Sequence, residues 1–425
     1  MHGLSESSSA SLVDLLHQHA EEQGGERAYT FLTADDSAPR HLSWSELEAA
    51  AGTVAAALTE RGLAGERAIL LYPPGLDFIA AFLGCLWAGV IAVPAYAPTS
   101  RRTLPRFVSI ARDAGPRVAL TTEEMLPRLE TLSARAPELA ALPRLATDNL
   151  PLGEGPQSTA TRAEQPAFLQ YTSGSTSAPK GVVVRHGNLM HQAEMMRRAF
   201  ELSRDAVIVG WLPLFHDMGL IGNVLQPLYL GARCVLMAPM AFLRQPRRWL
   251  EAISHYRATV SGGPNFAYEL CADRIAEADR AALDLSRWRV AFNGAEPVRP
   301  ATLERFADAF APSGFRREAF YPCYGLAEGT LFVTGGTVDQ VPRLGAFQAE
   351  ALAAHRVARA WGGTATRTLA SNGRPWMGQG VVIADPETRR RCAPSDVGEI
   401  WVAGDSVAQG YWKRPEASEE TFRAR

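Results

Sequence analysis

The 425-residue sequence has little cysteine, little charge imbalance and no long apolar run, and each shortage removes a class of function. Its five cysteines, Cys85, Cys234, Cys271, Cys323 and Cys392, are odd in number, widely spaced and never in C-x-x-C spacing. That pattern excludes a disulfide framework and a thiolate zinc site, and it fits a reducing compartment. A formal net charge of -2 offers no basic surface to nucleic acid or to an anionic membrane. The apolar run from Phe78 to Val93 is 16 residues long, bounded by Asp77 and Pro94. A spanning helix needs about 20, so a buried helix running into a strand is the better account. The first residues, through Gln23, have neither a basic n-region nor an apolar h-region, which argues against a secretory signal. No repeat of fixed period occurs, and the only low-complexity tract is Ser7 to Ser9. The expectation is a cytoplasmic protein with neither nucleic acid nor membrane among its partners.

What is present is ample core, with 47% hydrophobic residues, and a regular alternation of elements. Ser43-Trp44-Ser45-Glu46 has capping-box spacing, and Leu47, Ala50, Ala51, Val54 and Leu58 follow on one helical face until Gly62. A strand at Ala68 to Tyr72 comes next, then a helix from Phe78, a strand near Val90, a helix from Leu104 to Arg112 and a strand at Val118 to Leu120. Strands alternating with helices imply parallel, doubly wound sheets. The fold class is α/β: two doubly wound α/β subdomains, expected over 1–165 and 166–336, and a small β-rich subdomain over 337–425. The Pro- and Ala-rich stretch 134–165 reads as helix and loop, and Gln348 to Ala360 as a helix.

The stretch from Tyr171 to Val182, YTSGSTSAPKGV, stands between two apolar runs. Hydroxyls at Thr172, Ser173, Ser175 and Thr176, glycines at Gly174 and Gly181 and the cation Lys180 suit a di- or triphosphate. Backbone N–H groups converge where no Cβ intervenes, and the lysine adds mobile charge. A plain Ser/Gly/Pro turn has the same composition. A Walker loop is excluded, because Pro179 stands where G-x-x-x-x-G-K-[ST] needs its second glycine and Gly181 follows the lysine.

Four further stretches lie at strand ends, where ligands of open α/β sheets bind. In Trp211 to Leu220, WLPLFHDMGL, His216 beside Asp217 reads as a catalytic or ligand-orienting pair or as a helix cap. Asn293-Gly294-Ala295-Glu296-Pro297 offers a turn with backbone donors and a flat surface for a purine. Tyr321 to Thr330, YPCYGLAEGT, sets Tyr324 and Gly325 just ahead of Glu328, a ring to stack on a base and a carboxylate to hold Mg²⁺. A core tyrosine and a surface glutamate are the plain alternative. Gly398 to Val402 with Gly404 and Gly410-Tyr411-Trp412 reads as a hairpin.

In this order and at these separations the stretches resemble the adenylate-forming superfamily over nearly the whole chain. FHDMGL, SGGPNFAYELC at 261–271, FNGAEPV at 292–298 and YPCYGLAEGT look like fatty acyl-AMP ligases, with Ala327 where acyl-CoA ligases carry threonine. The long interval from Thr337 to Asn372, ahead of the turn Gly373-Arg374-Pro375, resembles the inserted segment of those ligases, which is thought to hinder use of CoA.

The resemblance implies that a fatty acid carboxylate attacks the α-phosphate of ATP to give acyl-AMP and pyrophosphate. The acyl group then passes to the phosphopantetheine thiol of an acyl carrier protein, as in polyketide or lipopeptide biosynthesis. It assigns catalysis to His216, Lys180 and Glu328, with Mg²⁺ on Glu328. Nucleotide binding falls to Thr172, Ser173, Gly174, Ser175, Thr176, Lys180, Gly294, Ala295, Glu296, Tyr324 and Gly325. The acyl tunnel is expected past Met218, Ile221, Phe266 and Leu331. Family members continue with a T-G-D segment, a hinge and a small C-terminal lid domain, whereas this sequence stops at Thr421 to Arg425. The expectation is therefore the large N-terminal domain alone, weakly active or inactive by itself. The competing readings are an acyl-CoA ligase fragment and a non-catalytic module that binds acyl-AMP or carrier.

Overall fold

The computed structural model describes residues 11–33, 38–98, 103–156, 162–172 and 179–424. Its contacts divide the chain into two units, Met1–Thr30 with Arg40–Met190, and Phe31–Pro39 with His191–Arg425.

In the first unit the expected capping box is formed. Ser43 Oγ accepts from the Glu46 N–H at 3.2 Å and the Glu46 carboxylate accepts from the Ser43 N–H at 2.7 Å, opening helix α1 (Trp44–Glu60). The apolar run becomes helix α2 (Leu76–Trp87), buried along nearly its whole length. A Cβ on its Gly84 would stand 2.6 Å from Val54 Cβ, so glycine is what lets the two helices pack this closely. Strands β1 (Arg67–Leu70), β2 (Ile91–Pro94), β3 (Val118–Thr121), β4 (Arg144–Ala146), β5 (Pro166–Tyr171) and β6 (Gly181–Arg185) form one sheet in the order β4-β3-β1-β2-β5-β6. All neighbours are parallel except β5 and β6.

Two expectations change here. The boundary placed at 165 moves to Met190, because β5 pairs with β2 through Ala92 and Phe168, and the hairpin β5–β6 completes the first sheet instead of opening the second. The stretch read as helix and loop also contributes the edge strand β4, three residues long, too short to announce itself by alternation.

In the second unit, strands β7 (Val207–Gly210), β8 (Arg233–Met237), β9 (Val260–Gly263), β10 (Val290–Asn293), β11 (Phe320–Gly325), β12 (Phe332–Gly335) and β15 (Arg374–Pro375) run in the order β15-β12-β11-β10-β9-β7-β8. Between β12 and β15 the hairpin β13 (Leu344–Gln348) and β14 (Thr366–Ala370) stands as its own two-stranded sheet. A second hairpin, β16 (Gly380–Ala384) with β17 (Glu399–Ala403), follows. Residues 337–425 are β-rich as expected, and they cluster with the second unit. The helix expected from Gln348 to Ala360 shrinks to Ala349–Ala353, because the Gln348 N–H donates to the Ala358 carbonyl and Phe347 bridges Arg359.

After the loop that follows β7, residues Met218–Leu225 form a π-helix, continued by helix α4, Gln226–Leu230. Gly219 lies so close to Pro213 that a Cβ would meet its carbonyl oxygen at 2.1 Å. Single π-turns inside helices recur at functional sites.

Candidate functional site

In the first unit the phosphate-loop residues Ser173, Gly174, Ser175 and Thr176 lie outside the described residues. The base of the loop is described. Thr172 donates its N–H to the Lys180 carbonyl at 3.2 Å, and β5 and β6 are in register at Tyr171 and Gly181. The Tyr171 hydroxyl donates to Asp113 at 2.8 Å. A Cβ on Gly181 would reach the Tyr171 ring at 2.8 Å, so glycine is required for the ring to close the hairpin. Lys180 leaves the loop half-buried. A strand–loop–strand of this kind agrees with the exclusion of a Walker loop, which runs from strand to helix.

In the second unit a cavity of about 210 Å³ gathers most of the remaining candidates. His216, Met218, Gly294, Ala295, Tyr324, Gly325 and Leu331 all line it, drawn from three separate stretches of sequence. Exposure falls along the wall. His216 is exposed and Tyr324 half-buried, whereas Ile208, Met196 and Phe332 are 1%, 2% and 3% exposed. The cavity therefore has a polar mouth and an apolar interior.

His216 and Asp217 are in contact, and Asp217 also forms the expected cap. Asp217 Oδ1 lies 2.6 Å from His216 Nδ1 and accepts from the Met218 N–H at 2.7 Å, so one carboxylate caps the π-helix and fixes the imidazole. Asp217 is 8% exposed and stands outside the expected site residues; its adjacency to His216 is the sequence signal for it.

The turn after β10 puts buried Gly294 against Cys323, where a Cβ would stand 3.0 Å from both its carbonyl oxygen and Sγ. Ala295 follows at φ 67, a left-handed conformation that costs a non-glycine residue about 1–3 kcal/mol. Glu296 is turned away from the cavity wall. Its Oε1 accepts from the Phe266 N–H at 2.7 Å, at the start of helix α5 (Asn265–Arg274).

Burial, and then the nearby Glu328 carboxylate, raise the Tyr324 hydroxyl above its ordinary range. Cys323, also on the wall, has its thiol pushed up to about 12 by burial, which leaves it neutral and unsuited to carry an acyl group itself. Glu328 does not line the cavity. Its Oε1 accepts from the Tyr411 hydroxyl at 2.6 Å, and its carbonyl accepts from the Ala408 N–H at 2.8 Å. Thr330, a β-branched residue at φ 69, is held there by its hydroxyl, which donates to the Ser406 carbonyl at 2.5 Å. The loop 404–411 thus clasps the glutamate turn, while the residues before it, Glu399–Ala403, form a hairpin strand.

Of the four expected tunnel residues, Met218 and Leu331 line the cavity and Ile221 and Phe266 do not. The wall residues on this stretch are Met218, Gly222 and Gln226, four apart, and Ile221, 1% exposed, is turned into the core. Phe266 is 39% exposed and meets Trp211 edge-on at 6.1 Å. Among the described residues no group of three or more His, Cys, Asp or Glu side chains is placed to hold a metal, and no helix is long and apolar enough to cross a membrane.

The model of the AMP-binding enzyme family matches residues 16–412. The medium-chain fatty acid acyl-carrier-protein ligase JamA of Moorena producens is 44% identical over 98% of this chain and 72% of its own length. The corresponding ligase TtuA of Teredinibacter turnerae is 37% identical over 96% and 70%. Among solved structures, a fatty acyl-adenylate ligase from L. pneumophila, in complex with acyl adenylate and pyrophosphate, superposes with a TM-score of 0.90 at 41% identity, covering 96% of this chain and 71% of that one.

Proposed function

The chain belongs to the AMP-binding enzymes and, among them, to the fatty acyl-AMP ligases, and from that premise we propose how its residues divide the work. It is an ATP-dependent ligase. A carboxylate oxygen of a fatty acid attacks the α-phosphorus of ATP, the bond to the β-phosphate bridging oxygen breaks, and pyrophosphate leaves with that electron pair. The acceptor named for JamA and TtuA, an acyl carrier protein, is the acceptor assigned here. Its phosphopantetheine thiol attacks the acyl carbonyl and AMP leaves.

Two anions meet in the first step, so the site has to neutralise charge and hold geometry more than supply a base. We assign Lys180 and the loop from Thr172 to the departing phosphates. Tyr324 is assigned to the adenine face, with the backbone of Gly294, Ala295 and Gly325 along the base edge. His216, oriented by Asp217, is assigned to the carboxylate and α-phosphate. Met218 and Leu331 begin the acyl wall.

Mg²⁺ fits this donor set. It takes most of its ligands from water and phosphate and needs one or two carboxylates, and Glu328 is a single carboxylate fixed by Tyr411. When bound, the ion neutralises phosphate charge as pyrophosphate departs. Glu328 would hold it, and Tyr411 would keep Glu328 in place.

The observation that carries this reading is the cavity itself, an apolar interior under a mouth made of His216, Ala295 and Tyr324. Ala327 and the segment 337–372 favour a carrier over CoA. That segment is tied down at Val357, whose N–H donates to the Ser395 carbonyl, and at His355, whose carbonyl accepts from the Val397 N–H at 2.9 Å. The free cysteines support a cytoplasmic setting. Mass spectrometry after incubation with Mg·ATP and a fatty acid tests the assignment. Acyl-AMP should accumulate with the wild type and fall by about a hundredfold or more in Lys180→Ala; equal accumulation in both would contradict the role given to Lys180.

A further inference from the structure

Two buried polar side chains line the cavity, Asp217, which is bonded to His216 and to the Met218 N–H, and Gln226. Gln226 lines it together with Met196, Ile208 and Phe332, and is 2% exposed. Its Nε2 donates to the Ala193 carbonyl at 3.2 Å, but its Oε1, shut off from solvent, has no hydrogen-bond partner. Two more amides near it share this condition. Gln192, next to Ala193 and one turn before Met196 on helix α3 (His186–Ala199), is fully buried with both amide atoms unpaired. Asn223, next to the wall residue Gly222, is fully buried with both amide atoms unpaired as well.

A buried polar group left without a partner costs about 1–3 kcal/mol. Folded proteins give nearly all such groups a partner. A saturated hydrocarbon tail offers none, and in a binding site it would also seal these groups from water. We propose that the acyl chain accepted here bears a hydroxyl group that reaches Gln226 and donates to its Oε1, so that Gln226 selects hydroxylated over plain fatty acids. This rests on the acyl-adenylate reading and narrows its substrate class.

The test compares kcat/KM for pyrophosphate release with pairs of medium- and long-chain acids of equal length, one plain and one hydroxylated at or next to its far end. The wild type should favour the hydroxylated member by about tenfold or more. In Gln226→Leu, checked for its melting transition, that ratio should collapse to near unity. A wild type that uses the plain member as well or better overturns the inference, whether or not the variant folds, and leaves the acyl-adenylate reading standing. An unchanged ratio in a folded Gln226→Leu also overturns it. Where no acid gives release, calorimetry with non-hydrolysable acyl-AMP analogues of the same paired chains decides: equal binding of plain and hydroxylated chains overturns the inference, and no binding of either overturns the acyl-adenylate reading with it.

Discussion

Tyr411 donates its hydroxyl to Glu328 Oε1 at 2.6 Å, across 83 positions of sequence. Burial, and after it the bond to Glu328, push the Tyr411 hydroxyl above its ordinary range, so it is a protonated donor at neutral pH. A hydrogen bond to a carboxylate contributes about 1.5–3 kcal/mol. Tyr411→Phe should raise the Mg²⁺ concentration that gives half-maximal pyrophosphate release by roughly tenfold, with a smaller change at saturating Mg²⁺. Glu328→Gln should depress the rate at all Mg²⁺ concentrations. A Tyr411→Phe titration that overlays the wild type would remove Tyr411 from the positioning role.

Gly222 measures the acyl space. It lines the cavity, and a Cβ there would find only Leu331 Cδ2, at 3.9 Å. Gly222→Leu should fill the interior and move the preferred acid toward shorter chains, each excluded methylene weakening binding by about 0.8 kcal/mol. A length profile across a series of acids reads this directly, and an unmoved optimum would place the tail elsewhere.

Gly181→Ala should act on the phosphate loop from its base. The added methyl falls 2.8 Å from the Tyr171 ring, and overpacking of this kind costs about 1–3 kcal/mol. Lower thermal stability together with a raised KM for ATP is expected. Restoration of both by a smaller residue at Tyr171 would show that the ring is the cause.

His186 gives the fold an acid limit. Burial lowers its imidazole to about 4, so it is neutral in the folded protein at pH values where the unfolded chain already binds a proton. Its contribution is complete above about pH 6.5 and is lost as pH falls toward 4. Unfolding free energy measured across that window should fall in the wild type and fall less steeply in His186→Gln, whatever the variant's stability at neutral pH. Parallel slopes would contradict this.

What could be read in the sequence was local. The capping box at Ser43 and Glu46, the apolar helix ending in a strand, and the strand-to-loop placement of His216, Gly294 and Tyr324 follow from neighbours within a few positions. What could not be read depended on distant pairings. The hairpin flanking the phosphate loop looks like the start of a new unit until Phe168 is found opposite Ala92. The clasp of Tyr411 on Glu328 and of Ser406 on Thr330 joins stretches that nothing in either one announces. The resemblance put the apolar Ile221 on the tunnel wall, but the spacing of Met218, Gly222 and Gln226 puts a glycine and an amide there instead. Hydrophobicity identified the helix but not which of its residues face the cavity.

The central claim is tested most directly by pyrophosphate release from the protein with Mg·ATP and a panel of fatty acids, followed by acceptor tests with a phosphopantetheinylated carrier protein and with CoA. Release that depends on the acid, with the acyl group passing to the carrier and not to CoA, is the predicted result. Transfer to CoA in preference to the carrier, or release that ignores the fatty acid, would contradict it.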